Sequence, residues 1–102
     1  MDSRVVREAS RVTVQLQGDL VALTVPALRE QLRQHVQEGV TELVLDLKDT
    51  RMVDSSGIGL LMAAYNSIRR AGGSLTVIHA VDEIRELFVS MRLNQHLTIS
   101  DD

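Results

Sequence analysis

Leu43-Val44-Leu45-Asp46-Leu47, then Met52-Val53-Asp54-Ser55-Ser56-Gly57-Ile58-Gly59, then the run from Leu60 to Arg70 decide how this chain folds. The first five residues are too apolar for a strand with one wet face, and they read as a strand covered on both faces. Asp46 interrupts that run near its end and can point into the loop that follows. After the loop, Ile58, Leu61, Met62, Tyr65 and Ile68 recur at helical spacing, and the period stops at Ala71-Gly72-Gly73. Arg69 and Arg70 close the helix, where cations suit its dipole. A short polar loop between a buried strand and a helix is where α/β domains keep their working groups. The helix N-terminus offers partial positive charge and unpaired N–H groups, so it can receive an anion such as a phosphate.

Upstream, Val12-Thr13-Val14-Gln15-Leu16-Gln17 alternates apolar and polar and reads as a half-buried strand. Val5-Val6 supplies a short partner strand, with Glu8 to Ser10 as the turn, and Gly18-Asp19 breaks the second strand. Thr24 ahead of Pro26 marks a helix start, because proline's missing N–H has no partner in a first turn. Val25, Leu28, Leu32 and Val36 form its apolar stripe, and Gly39 stops it. Downstream, Ser74 to Ile78 is a strand. Asp82 reads as the N-cap of a third helix carrying Ile84, Leu87, Phe88 and Met91. Leu97-Thr98-Ile99 is short enough for an edge strand. The order β-β-α-β-α-β-α-(β) fits one α/β domain over residues 1–102, with a mixed central sheet of about 4–5 strands and three or so helices.

Composition removes several function classes. The chain has 102 residues, one Tyr, one Phe and no Trp, so its core is aliphatic and a base-stacking surface is not expected. A net charge of −3 without a basic run argues against nucleic acid and anionic membrane as partners. The absence of cysteine excludes disulfides, thiol catalysis and thiolate metal sites. Met1 to Ser10 lacks the apolar core of a signal peptide, and no apolar run approaches spanning length. A cytoplasmic monomer without metal or cofactor is expected.

The polar loop carries no enzyme signature. Asp-Ser-Ser-Gly-Ile-Gly is not the Gly-x-Ser-x-Gly elbow, and His35, His79 and His96 are spread over three elements without triad or metal spacing. His79 reads as a polar strand end. Met62 replaces the third glycine of a dinucleotide fingerprint, and no Walker lysine is present. Gly57 and Gly59 are expected to leave a flat surface that a partner backbone approaches closely. Met62 and Met91 read as core by their spacing, and Met52 is undecided. From this chemistry alone, Asp54 and Ser55 cap the helix and Ser56 fills its first turn.

With the strand–Asp-Ser-Ser-Gly–helix unit placed, the chain resembles the STAS domain family, and within it the bacterial anti-sigma factor antagonists. The carrying residues are Leu43 to Leu47, Val53-Asp54-Ser55-Ser56-Gly57-Ile58-Gly59-Leu60, Gly72-Gly73-Ser74-Leu75 and Leu87-Phe88, within a likeness that runs from about Val5 to Ile99. The resemblance implies a non-enzymatic partner switch. The unmodified protein binds an anti-sigma factor that is also a serine kinase, and so frees a sigma factor. Phosphorylation ends the binding, and a PP2C-type phosphatase restores it. The resemblance puts the acceptor at the hydroxyl before the glycine, Ser56. Asp54, Ser55, Gly57, Ile58 and Gly59, with Asp19 and Val21 from the preceding loop, complete the expected partner surface. Many antagonists carry Gly-Glu-Leu-Asp where this chain has Gly18-Asp19-Leu20-Val21, a departure that bears on phosphorylation more than on fold. Arg92 stands where a glycine is common before Leu93. A second reading is a STAS scaffold in a stress-signalling complex or beside a lipid-transport ATPase.

Overall fold

A computed structural model describes residues 3–100. Its strands are β1 (Ser3–Glu8), β2 (Arg11–Leu16), β3 (Glu42–Asp46), β4 (Ser74–Ile78) and β5 (Thr98–Ile99). Its helices are α1 (Val25–Gln37), α2 (Ser55–Arg70) and α3 (Asp82–Ser90), followed by a 3₁₀ turn at Leu93–Gln95. The sheet order is β1-β2-β3-β4-β5, with β1 antiparallel to β2 and every later pair parallel. A two-residue turn suffices for the first pair, whereas each parallel pair needs a crossover, which α1, α2 and the α3 segment supply.

Strand alternation places the core on one sheet face. Val12 pairs with Leu43 and Leu43 with Leu75, while Val14 pairs with Leu45 and Leu45 with Val77. All six are at most 1% exposed. The helices meet that face with Val25, Leu28 and Leu32 from α1, Leu60, Leu61, Ala64 and Ile68 from α2, and Ile84 and Phe88 from α3. Each of the larger side chains, Val, Leu, Ile and Phe, stabilises the fold by roughly 1.5–3 kcal/mol on full burial. The expected two-sided burial of β3 holds. Leu43 and Leu45 join the core, while Val44, only 1% exposed, lies on the opposite face between Thr13 and Thr76 and outside the core cluster.

The helix ends refine three expectations. Pro26 stands in the first turn of α1 and Gly39 follows its C-cap at φ +90°, as expected of a stop. The Thr24 hydroxyl, however, does not cap α1. It turns back, accepting from the Val21 N–H at 3.1 Å and donating to the Asp19 carbonyl at 2.6 Å. Asp82 is not the cap of α3 either; Val81 holds that position without a side-chain bond, and Asp82 pairs with Arg85 at 3.4 Å inside the first turn. Met91 is no core residue. It falls just after α3 and is 52% exposed, because the helix ends before its next turn reaches the sheet.

Candidate functional site: an acid-clamped helix N-terminus

The site is built where two loops at the same end of the sheet are tied together. Leu20, after β2, forms an isolated parallel bridge with Val53, after β3. Leu20 N–H donates to the Met52 carbonyl at 2.9 Å, and Asp54 N–H donates to the Leu20 carbonyl at 3.2 Å. Asp19 adds a side-chain staple, its Oδ1 accepting from the N–H groups of Arg51 at 3.0 Å and Met52 at 3.1 Å. Thr50, fully buried, donates its hydroxyl proton to the Gly18 carbonyl at 2.9 Å. Loops held by this many backbone groups present their side chains in fixed places.

Asp54 is the centre of the arrangement. Its backbone is extended, and its Oδ1 accepts from Gly57 N–H at 3.1 Å, the N-cap bond of α2. Its Oδ2 accepts from Ala22 N–H at 3.0 Å, across the loop. One carboxylate therefore holds both the start of α2 and the β2–α1 loop. The Ala22 N–H, and then the Gly57 N–H, keep its pKa below the usual carboxylate value, because both bonds favour the charged form.

Ser55 and Ser56 are the first two residues of α2. Ser55 is exposed and Ser56 half-buried, and no hydrogen bond among the described residues engages either hydroxyl. Ile58 is half-buried against the core, and Gly59 is exposed with open space where a side chain would be. Gly57 does not offer a flat surface to a partner, contrary to the sequence-based expectation. It is buried, and a Cβ there would collide with the Leu20 carbonyl oxygen and approach Val53 to 3.0 Å. The missing side chain serves the contact between the two loops.

Among the residues expected at the partner surface, Asp19 spends its Oδ1 on the staple and Val21 is half-buried outside the core cluster. Two exposed apolar side chains lie beside the site: Leu23, which the sequence pattern did not single out, and Met52, whose place the pattern left undecided. Leu23 is 90% exposed on the clamped loop, and Met52 is 59% exposed beside it. The signal for Leu23 was its position ahead of the α1 stripe, belonging to neither strand nor helix. Thr50 and the Ala22 N–H left no signal in the pattern, since their partners lie 32 residues away.

The histidines lie away from the serine pair, and both ring nitrogens of His35 are buried without a hydrogen bond among the described residues. His79 Nδ1 lies 3.0 Å from Asp46 Oδ1, which also accepts from Lys48 N–H at 3.0 Å. His35 Nδ1 is 3.8 Å from Glu38, and the His96 ring lies 5.7 Å from that of Tyr65. None forms a hydrogen bond with Ser55 or Ser56 within the described residues. The described residues also contain no cluster of three potential metal ligands and no helix long and apolar enough to cross a membrane.

The family model described as "Mlab, STAS domain" matches residues 3–99, and the chain belongs to that family. Its relatives include the anti-sigma-B factor antagonist of Bacillus subtilis, 28% identical over 87% of this chain and 81% of that protein. The Listeria monocytogenes anti-sigma-B factor antagonist is 27% identical over 93% and 83%. Among solved structures, a Thermotoga maritima protein described as an anti-sigma factor antagonist superposes with TM-score 0.92 at 16% identity, over 98% of this chain and 86% of that one. Unphosphorylated SpoIIAA, an anti-sigma factor antagonist, gives 0.79 at 18% identity over 99% and 89%. The two sequence relatives are named anti-sigma-B factor antagonists, and the chain is similar to them over most of its length. The structural likenesses establish the fold.

Proposed function

We propose that this protein is a phosphorylation-controlled antagonist, acting in the cytoplasm as a monomer, of an anti-sigma factor that is also its serine kinase. The observation that carries the reading is the serine pair itself: two hydroxyls without hydrogen-bond partners among the described residues, at a helix N-terminus fixed by Asp54, flanked by the exposed Leu23 and Met52. Unmodified, this surface docks the anti-sigma factor and a sigma factor is released. A phosphoserine there carries roughly −1.5 to −2 charge at neutral pH. The helix N-terminus accommodates that charge, whereas a docked protein surface must desolvate or repel it. A PP2C-type phosphatase resets the switch.

The resemblance assigns the acceptor to Ser56, and exposure favours its neighbour Ser55. Peptide mass spectrometry after reaction with the cognate kinase and ATP tests both, on the wild type and on Ser55→Ala and Ser56→Ala. One site is expected, and removing it abolishes the gain of phosphate mass. No phosphate on either serine, with the anti-sigma factor bound equally with and without ATP, would end this reading.

The second reading is a STAS scaffold in a stress-signalling complex or beside a lipid-transport ATPase, which membership of the STAS family also accommodates. Stable association with a transporter ATPase, indifferent to ATP-dependent modification of the serines, would select it.

A further inference from the structure

The loop between β2 and α1 shows water an apolar surface. From Leu20 to Val25 it holds no charged residue, although 25% of the chain is charged. Ala22 and Leu23 are exposed, Leu23 at 90%, and Met52 is 59% exposed on the loop stapled to them. Turns favour Gly, Pro, Asn, Asp and Ser, for reasons of backbone freedom or local hydrogen bonding that leucine does not supply. A lone exposed apolar side chain is ordinary on a protein surface. Leu23 differs in its frame. It stands third in a turn closed by Thr24 N–H on the Val21 carbonyl at 2.9 Å. Ala22 N–H is held by Asp54 Oδ2 at 3.0 Å, and Val21 N–H by the Thr24 hydroxyl at 3.1 Å. That hydroxyl in turn donates to the Asp19 carbonyl at 2.6 Å.

Two consequences follow for a partner. A side chain on a backbone fixed from both sides has little loop freedom left to lose on docking. The polar groups of the turn named here already have internal partners, so an apolar pocket closing over Leu23 strands none of them. Asp54 then links the turn to the serines, since the same carboxylate caps α2 at Gly57 N–H and Ser55 follows it directly. Gly59, one turn further along α2, is exposed with open space where a side chain would be and no positive φ. The fold does not require glycine there, and a helix interior disfavours it, but its bare surface lets a partner's main chain come close. An anionic bilayer finds no cation between Leu20 and Val25 and meets the carboxylates of Asp19 and Asp54 instead.

We propose, on the partner-switch reading, that Leu23 is the specificity anchor of the serine switch and enters an apolar pocket of the anti-sigma kinase. The test is calorimetry and steady-state phosphorylation with the anti-sigma kinase that phosphorylates the wild-type chain. Leu23→Ser is expected to weaken affinity by about tenfold or more, the factor that burying one such side chain is worth. It should raise the KM for serine phosphorylation by a similar factor with kcat little changed, because the contact is made equally before and during transfer. Its melting temperature should stay that of wild type, since Leu23 makes no part of the core. Leu23→Met, which keeps an apolar side chain of similar volume, should hold the affinity close to wild type. Val89→Ser, which removes a 48% exposed apolar side chain from α3, should change neither affinity nor KM. Wild-type affinity in Leu23→Ser, or an equal loss in Val89→Ser, would overturn the anchor and leave the partner switch standing. A wild-type chain that no anti-sigma kinase binds or phosphorylates would end both. Binding to phosphatidylglycerol vesicles, or a dimer in sedimentation, that Leu23→Ser abolishes would also overturn the anchor by giving the side chain another occupant.

Discussion

At the scale of single residues, Asp54, Gly57 and Arg92 each answer to one physical demand. Asp54 has its pKa lowered in the folded state, chiefly by the Ala22 and Gly57 N–H groups. A lowered folded value means that its contribution is fully present above the unfolded pKa of about 3.9, and is lost as pH falls through the folded value. Urea unfolding at pH 6 and pH 3 should therefore show a larger loss on acidification for wild type than for Asp54→Asn. Equal losses would mean that the clamp carries no net stability. Gly57→Ala forces a methyl into the Leu20 carbonyl, and is expected to cost about 1–3 kcal/mol, the usual range for overpacking. An unchanged denaturation midpoint would show that the two loops part without penalty. Arg92 sits at φ +60°, ψ +26°, a left-handed conformation that costs an L-residue roughly 1–2 kcal/mol. Glycine takes it freely but gives back about 0.5–1 kcal/mol in unfolded-chain entropy. Arg92→Gly should thus raise stability by up to about 1 kcal/mol, and a lower denaturation midpoint would contradict that account. The departure from the family's glycine is legible in the sequence, and the backbone supplies its physical meaning.

At the scale of elements, the β2–α1 loop carries Asp19 and Val21, two residues of the proposed partner surface. Val21 has its N–H bonded to the Thr24 hydroxyl, and its carbonyl accepts from Thr24 and Val25, so the main chain fixes this turn without the side chain. The Val21 side chain is half-buried and outside the core cluster, so it does not seal the core. Val21→Asp should leave the melting temperature nearly unchanged. It should raise the rate of serine phosphorylation and steepen its salt dependence, because added interface charge acts mainly on association. Single-turnover phosphorylation at two salt concentrations, beside a thermal melt, decides the matter. An unchanged rate with a lowered melting temperature would return Val21 to a structural role. The same loop shows what a sequence reveals and what it hides. The helices α1 and α2 announce themselves through repeating apolar positions, and β3 through an unbroken apolar run. Bonds from Asp19 to the N–H groups of Arg51 and Met52 leave no periodic trace. Asp82 and Met91 were misplaced for the opposite reason: a helix pattern gives the apolar face well but its ends poorly, since the end depends on tertiary contacts.

At the scale of the whole molecule, the core and the serine pair are separable. The core rests on aliphatic side chains from the strands and all three helices, whereas the serine pair sits at the tip of α2 among loop backbone groups. Neither serine belongs to the core cluster, so charge added there removes no core contact. It also lands beside the positive end of the α2 dipole, which favours an anion and offsets its repulsion from Asp54. Ser55→Glu and Ser56→Glu should therefore keep their circular dichroism spectra, with melting temperatures close to that of wild type. The two variants should differ against the anti-sigma factor. At the exposed Ser55 a carboxylate stands in the docked surface and must be desolvated or faced by a like charge, so affinity should fall at least tenfold. At the half-buried Ser56 the same group is held closer to the helix, and a smaller loss is expected if Ser55 is the acceptor. Calorimetric titration against the anti-sigma factor, with melts of each variant alongside, reads affinity and fold separately. Wild-type affinity in both variants would show that charge at this helix end is not what ends binding. Loss of fold in either would show that the tip of α2 is coupled to the core after all.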